Sequence, residues 1–363
     1  MKNQIIIHSS GNQTRIALIE HGELAQLFIE SEENQRTVGN IYVARVHKVM
    51  SGIRAAFIDM GTPKDAFLHF SDAGDHLDEY VAMLNGKNAI PSHVHKEIAN
   101  KENLSNVEKQ MLAGKVLKNG QKLLVQIVKE PIGSKGPRVS TDITIAGRFL
   151  VLIPMGDYIA VSKRINNYKE RRRLKGILNG MLPDGFGVIV RTVAQNQDQE
   201  AIEEDLRTIL KKWEHLVDKL EKAKPPSLLY KDLDMTESLI RDLFAKNYDR
   251  VLIDDPKMYR QIKSYVSQIA PQMVPNVELY KRKEHIFDFM KISEDVNSIF
   301  SPRVRMKMGG YLIFEQTEAM YVVDVNSGPY AAKQKQEDNS LKTNLEAARE
   351  IAKQLRLRDI GGI

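Results

Sequence analysis

The sequence contains no cysteine, which excludes disulfides and thiolate metal sites within the chain. No apolar run approaches the length of a membrane span. The opening MKNQIIIHSS offers only Ile5, Ile6 and Ile7 as consecutive large apolar residues, too few for a secretory signal. A cytoplasmic location is the default expectation that these absences leave. What is present reads as globular: 363 residues, 42% apolar and 28% charged, a length that suggests two to four domains. A net charge of +6 and a sequence pI near 9.1 favour a polyanionic partner without requiring one.

Along the chain the hydrophobic period changes several times. TRIALIEHGELAQLFIE alternates about His21-Gly22 and predicts a hairpin. From Val38 short strands follow (GNIYVARVHKVM, IRAAFIDMG, DAFLHFSD and, later, QKLLVQIVKEP), which predict a small barrel. Residues 72–120 are polar and irregular in period, a surface insertion in which His93 and His95 lack a third metal ligand at suitable spacing. Ile202, Leu206, Ile209, Trp213, Leu216 and Leu220 space as a long amphipathic helix, stopped before Pro225-Pro226. Helix and strand signals then alternate. Near the end, Thr343 with Glu346 forms a capping box, and Leu345, Ala348, Ile351, Ala352 and Leu355 form an apolar stripe that Gly361-Gly362 would end.

Three stretches bear on chemistry. In EAMYVVDVNSGPY, Asp324 and Asn326 are two apart on a strand, so they project to one side. They could offer a carboxylate and an amide oxygen to Mg²⁺, which takes few carboxylates and completes its shell with water and phosphate. The alternative is that Asp, Asn and Gly merely end a strand. In the barrel region, Phe57 and Phe67 are either core residues or stacking platforms for unpaired bases, with Arg45, Lys48, Arg54 and Lys64 as basic flanks. In GFGVIVRTVA, Arg191 and Thr192 close an apolar strand, where a guanidinium and a hydroxyl can grip a terminal phosphate. Lys163 to Lys175 adds a basic helix containing Arg171, Arg172 and Arg173.

Taken in order, GNIYVARVHKV, AAFIDMG, DAFLHFSD, KGPRVSTDITIAGRFLVLIP, GVIVRT, EAMYVVDVNSG and TNLEAAREIAKQLRLRDIGGI closely resemble the catalytic half of the bacterial ribonuclease E/G family. IIIHSS and TDITIAGRFLVLIP fit its ribonuclease G branch. The resemblance spans essentially the whole chain. It implies an α+β multidomain protein: a split RNase H-like domain at 1–37 and 214–280, an OB-fold RNA-binding barrel at 38–139 with the long insertion 72–120, a 5′-sensor region at 140–213, and the start of a DNase I-like catalytic domain at 281–363.

It also implies a single-strand-specific endoribonuclease of RNA processing and decay, acting on rRNA precursors and mRNA, that uses Mg²⁺ to leave 5′-phosphate and 3′-hydroxyl ends and is stimulated by a 5′-monophosphate. By motif, Asp324 is the metal ligand, with Asn326 its catalytic neighbour. Arg191, Thr192 and the backbone of Val151 form the 5′-monophosphate sensor, and Phe57, Phe67 and Lys135 contact RNA. Asp254 and Asp255 of the RNase H-like part are expected to be structural. In the family a second metal carboxylate and a zinc-sharing cysteine pair follow RDIGGI, so this chain is expected to be cut short, to hold Mg²⁺ poorly and to cleave feebly or not at all, although the intact protein is expected to be a nuclease. Zn²⁺ and homo-oligomerisation are expected only of the longer protein. The competing readings are a non-catalytic RNA-binding scaffold and an insertion that docks protein partners.

Overall fold

The computed structural model describes residues 3–31, 36–86, 104–131, 135–243, 248–327 and 336–363, with residues 89, 90, 94, 98 and 101. His93 and His95 lie outside the described residues. The chain divides into two compact units: Arg36–Asp234, and Met1–Gln35 with Met235–Ile363.

The first of these is built on a closed barrel. Strands β4 (Ile41–Met50), β5 (Ala55–Asp59), β6 (Ala66–His69), β8 (Arg138–Ser140) and β7 (Lys122–Lys129) run in that spatial order, and β4 pairs β7 to close the ring. This five-stranded barrel is consistent with an OB-fold. Strand parity fixes its inside: Ala56, Ile58, Ala66 and Leu68 are fully buried. A β-bulge between Val46 and Lys48 bends β4 as closure requires. Where β8 approaches β6, a Cβ on Gly136 would lie 1.9 Å from the Asp65 carbonyl, so only glycine fits.

The insertion differs from its polar reading. Its helices Leu77–Asn85 and Asn106–Val116 send Leu77, Val81, Leu112, Ala113 and Val116 into the barrel core, joined by Ile90 and Val94. It therefore stoppers the barrel. Its period looked irregular because its apolar residues are divided between short helices, so no single period spans it.

Beyond the barrel, β9 (Ile145–Ala146), β10 (Leu150–Pro154), β11 (Ile159–Val161) and β12 (Phe186–Val190) form a sheet ordered β11-β12-β10-β9. The helix Gln199–Lys222 starts at Asp198, whose carboxylate accepts the Ala201 amide, and buries Ile202, Leu206, Ile209, Trp213 and Leu216. It runs unbroken through 213/214, where the sequence reading set a domain boundary. The strand β13 (Ser227–Tyr230) then pairs with β4, so the division between units falls at 234/235.

The other unit holds a five-stranded sheet of β1 (Gln4–Ser10), β2 (Gln13–Glu20), β3 (Glu23–Ser31), β14 (Arg250–Ile253) and β15 (Val277–Leu279), ordered β15-β14-β1-β2-β3. β1, β2 and β3 are antiparallel, and β14 and β15 join parallel to β1. Ile5 and Ile7 face one core and Ile6 the other, which is why three isoleucines run together at the centre of a sheet covered on both faces. The β2–β3 turn places His21 and Gly22 at φ 55° and 89°, as a tight hairpin demands.

A smaller antiparallel sheet, β16 (Arg303–Arg305), β17 (Tyr311–Gln316) and β18 (Tyr321–Asn326), packs on the helix Gln336–Arg358 through Val304, Leu312, Phe314, Ala347 and Ile351. That helix starts seven residues before Thr343, so the expected capping box is not a cap. The Glu346 carboxylate accepts the Met308 amide at 3.1 Å instead. Its buried face carries Ala347, Gln354 and Leu357, whereas Leu345 and Ala352 are exposed. Asp359, at φ 50°, ends the helix, and the Ile360 amide returns to the Leu355 carbonyl at 3.2 Å, a Schellman arrangement made two residues before Gly361.

Candidate nucleic-acid and metal sites

Phe57 and Phe67 face outward from the barrel. They sit directly opposite one another on β5 and β6, centroids 5.9 Å apart and edge to face, and neither belongs to a buried core cluster. The alternative that they fill the barrel is thereby removed. His69 continues the aromatic row, 6.4 Å from Phe67, and Lys48 lies across from Phe57 on β4. Lys135 is exposed just before Gly136, whose missing Cβ would come within 3.5 Å of the Lys64 Cβ. Two lysines therefore flank the aromatic pair from the β6–β8 side. Of the other basic flanks, Arg45 donates to the Gly120 carbonyl and Arg54 to Gln110. An outward aromatic row edged by lysines suits unpaired bases on a charged strand.

Arg191 and Thr192 follow β12 directly. The Arg191 amide donates to the Phe149 carbonyl at 2.8 Å and its Nη1 donates to the Gly147 carbonyl at 3.0 Å. The Thr192 hydroxyl lies 2.9 Å from that of Ser162. Val151 is two register rows inward, opposite Ile189 and Ala146. The turn facing Arg191 is held by Asp205, whose carboxylate accepts the amides of Arg148, Phe149 and Leu150 at 2.8–2.9 Å. Burial pushes the Asp205 carboxyl up, and these three amides pull the other way. Ser162 was not legible as a partner of Thr192, being thirty positions away with no motif linking them.

The basic helix Tyr168–Asn179 spends much of its charge internally. Arg171 donates to the Val161, Ser162 and Ile165 carbonyls, and Arg173 grips Glu170 at 2.8 Å. The Glu170 carboxyl is held below the usual range by that guanidinium.

In the small sheet, Asp324 is exposed, and the Asn326 amide nitrogen donates to its carboxylate at 2.7 Å. The two side chains do meet on one face, opposite the face packed on the helix. Among the described residues no three His, Asp or Glu converge as a complete metal cage. One carboxylate with a neighbouring amide fits Mg²⁺, which keeps waters and takes substrate phosphates, and does not fit an all-protein site. Zinc held by cysteines finds no donor in this chain. Asp254 accepts from the His8 ring at 2.5 Å and the Ser9 amide at 3.0 Å, and Asp255 caps the helix Pro256–Ile269. Both acids are engaged in holding the fold.

The class these observations define is an α+β protein of two units, one carrying an OB-type barrel with an outward aromatic row, the other an open sheet face with an exposed carboxylate. The Ribonuclease E/G family matches residues 144–363. Ribonuclease G of Escherichia coli strain K12 is 32% identical over 363 residues, covering all of this chain and 70% of that protein. Ribonuclease G of Haemophilus influenzae is 32% identical over 360 residues, 99% of this chain and 69% of the relative. Ribonuclease E of Nostoc sp. strain PCC 7120 is 33% identical over 369 residues, all of this chain and 49% of the relative. The chain belongs to the ribonuclease E/G family. No helix among the described residues is long and apolar enough to cross a membrane.

Proposed function

We propose that the chain is an endoribonuclease, a hydrolase of phosphodiester bonds in single-stranded RNA, that serves RNA processing and decay. The observation that carries the chemistry is the exposed Asp324 with Asn326 hydrogen-bonded beside it on an open sheet face. These residues would hold Mg²⁺. Bound there, such an ion would supply Lewis-acid polarisation of a phosphoryl oxygen and a water of lowered pKa, chemistry suited to hydrolysis that leaves 5′-phosphate and 3′-hydroxyl ends.

The chain's own residues supply the remaining tasks. Asn326 orients the Asp324 carboxylate. Phe57, Phe67 and Lys135 bind the strand by stacking and charge, which favours unpaired over duplex RNA because a base must be free to stack. Arg191 and Thr192, beside the turn 147–150 and the backbone of Val151, take a 5′-monophosphate. A triphosphate would crowd that site. On this reading the sheet β15-β14-β1-β2-β3 is RNase H-like without RNase H chemistry, the sheet β11-β12-β10-β9 with the helix Gln199–Lys222 forms the 5′ sensor, and residues 281–363 are DNase I-like. Cytoplasmic location and rRNA precursors and mRNA as substrates belong to the same proposal, with homo-oligomers proposed for the full-length protein.

The test is metal dependence with product analysis. Cleavage of a labelled single-stranded RNA should stop in EDTA, return with Mg²⁺ and leave 5′-phosphate products. Cleavage that persists in EDTA, or products ending in a cyclic phosphate, would contradict it. The 5′ pocket is tested separately: Arg191→Ala should erase any preference for monophosphorylated over hydroxyl-ended RNA, and a surviving preference would remove Arg191 from that role.

A further inference from the structure

The face that carries Asp324 also carries a pair of arginines that the reading above does not use. Register fixes the neighbours. Arg303 pairs with Ile313, which pairs with Asp324, and Arg305 pairs with Tyr311, which pairs with Asn326. Parity puts all six side chains on the side away from the helix, because the alternate residues Val304, Leu312, Phe314 and Val323 pack in the core. Two interstrand steps of about 4.8 Å each separate the Arg303 and Asp324 backbones. The Arg303 guanidinium lies over the Tyr311 ring, its Cζ 3.8 Å from the centroid.

Several other arginines of the unit are already engaged in the fold. Arg250 is paired with Glu278, Arg356 with Glu20, and Arg358 donates to the Ser298 and Ser301 carbonyls. Arg303 and Arg305 are exposed and meet no carboxylate among the described residues, Asp324 included. A guanidinium stacked on an aromatic face keeps its N–H edges free and its plane fixed, which suits a phosphate oxygen. A polyanion crossing this face would meet two unneutralised cations on one side and the Asp324–Asn326 pair on the other.

We infer that Arg303 and Arg305, with Tyr311 as the platform that orients Arg303, form a backbone subsite for single-stranded RNA and hold the phosphates next to the bond presented at Asp324. The inference rests on the proposed metal role of Asp324. Arg303 and Arg305 act as positioning residues, binding phosphates that do not react.

The experiment is a titration of the 363-residue chain against a 5′-labelled single-stranded oligoribonucleotide, followed by anisotropy in Mg²⁺ between about 50 and 200 mM salt. For Arg303→Gln/Arg305→Gln the expected result is roughly tenfold weaker binding at low salt, with the slope of log K against log salt shallower by about 1.4, at about 0.7 per phosphate contact on a single strand. Arg303→Lys/Arg305→Lys should restore the slope, because both charges are kept. A merely structural role would not move a salt slope. Unchanged affinity and slope in the glutamine variant would overturn the inference. Asp324→Asn separates it from the reading on which it rests: that variant should keep affinity and slope and lose cleavage, and retained cleavage would defeat the metal role whatever the arginines do.

Discussion

Phe57 shows what a single residue can and cannot disclose. AAFID reads as a strand, but Ala56, Phe57 and Ile58 are all apolar, so alternation alone leaves open which parity faces the core. The structure resolves it, with Ala56 and Ile58 fully buried and Phe57 turned out against Phe67. Phe57→Ala and Phe67→Ala should each weaken single-stranded RNA binding by about 1–3 kcal/mol. The thermal midpoint should change little, because neither ring belongs to the barrel core. A large fall in melting temperature with unchanged affinity would return both rings to packing. Asp324 was legible at the same scale, since two residues apart on a strand must share a face. Arg303 was not, because its relation to Asp324 passes through Ile313 and depends on a register that no spacing reveals.

At the scale of elements, the long helix Gln199–Lys222 was legible from its period, but its partner was not. Asp205, on that helix, accepts three amides of the turn 147–150, more than fifty residues away. Asp205→Ala leaves three buried donors without their acceptor and should cost about 2–4 kcal/mol, read as a lower denaturation midpoint, and should loosen the turn whose Gly147 carbonyl Arg191 grips. An unchanged midpoint would contradict this.

The final helix was misread for a physical reason. QEDNSLK contains no Gly or Pro and continues a helix readily, so the Thr343 box had no boundary to mark. This helix is tied to β2 by Arg356 and Glu20 at 3.2 Å. The Arg356 guanidinium, followed by the Tyr248 hydroxyl, holds the Glu20 carboxyl below its ordinary range. A carboxyl whose folded pKa is depressed stabilises the fold above its unfolded pKa, and that contribution fades as pH falls through the folded value. Glu20→Gln should therefore lower the melting temperature at neutral pH, with the gap to wild type closing below about pH 4. A gap independent of pH would mean that the ion pair contributes nothing there.

For the whole molecule, the interleaving of the two units came from the resemblance to known sequences and not from periodicity. Composition changes little at 35/36, and the linker-like KAKPPS precedes a strand that still belongs to the barrel unit. Because Arg36–Asp234 is continuous and holds its own cores, that segment expressed alone should fold and bind single-stranded RNA without cleaving it. Cleavage by the segment would place the chemistry outside the Asp324 sheet.

The central claim, that RNA is cut at the carboxylate on the open face of β18, is tested most directly by one comparison. Cleavage and binding of a 5′-monophosphorylated single-stranded RNA in Mg²⁺ are measured for the wild-type chain and Asp324→Ala. The account predicts that the cleavage seen with the wild type, however slow, is lost in the variant, and that the two dissociation constants agree within about twofold, since RNA affinity comes chiefly from stacking and phosphate contacts. Equal cleavage by the two proteins would contradict it and leave Asp324 as the residue that ends a strand.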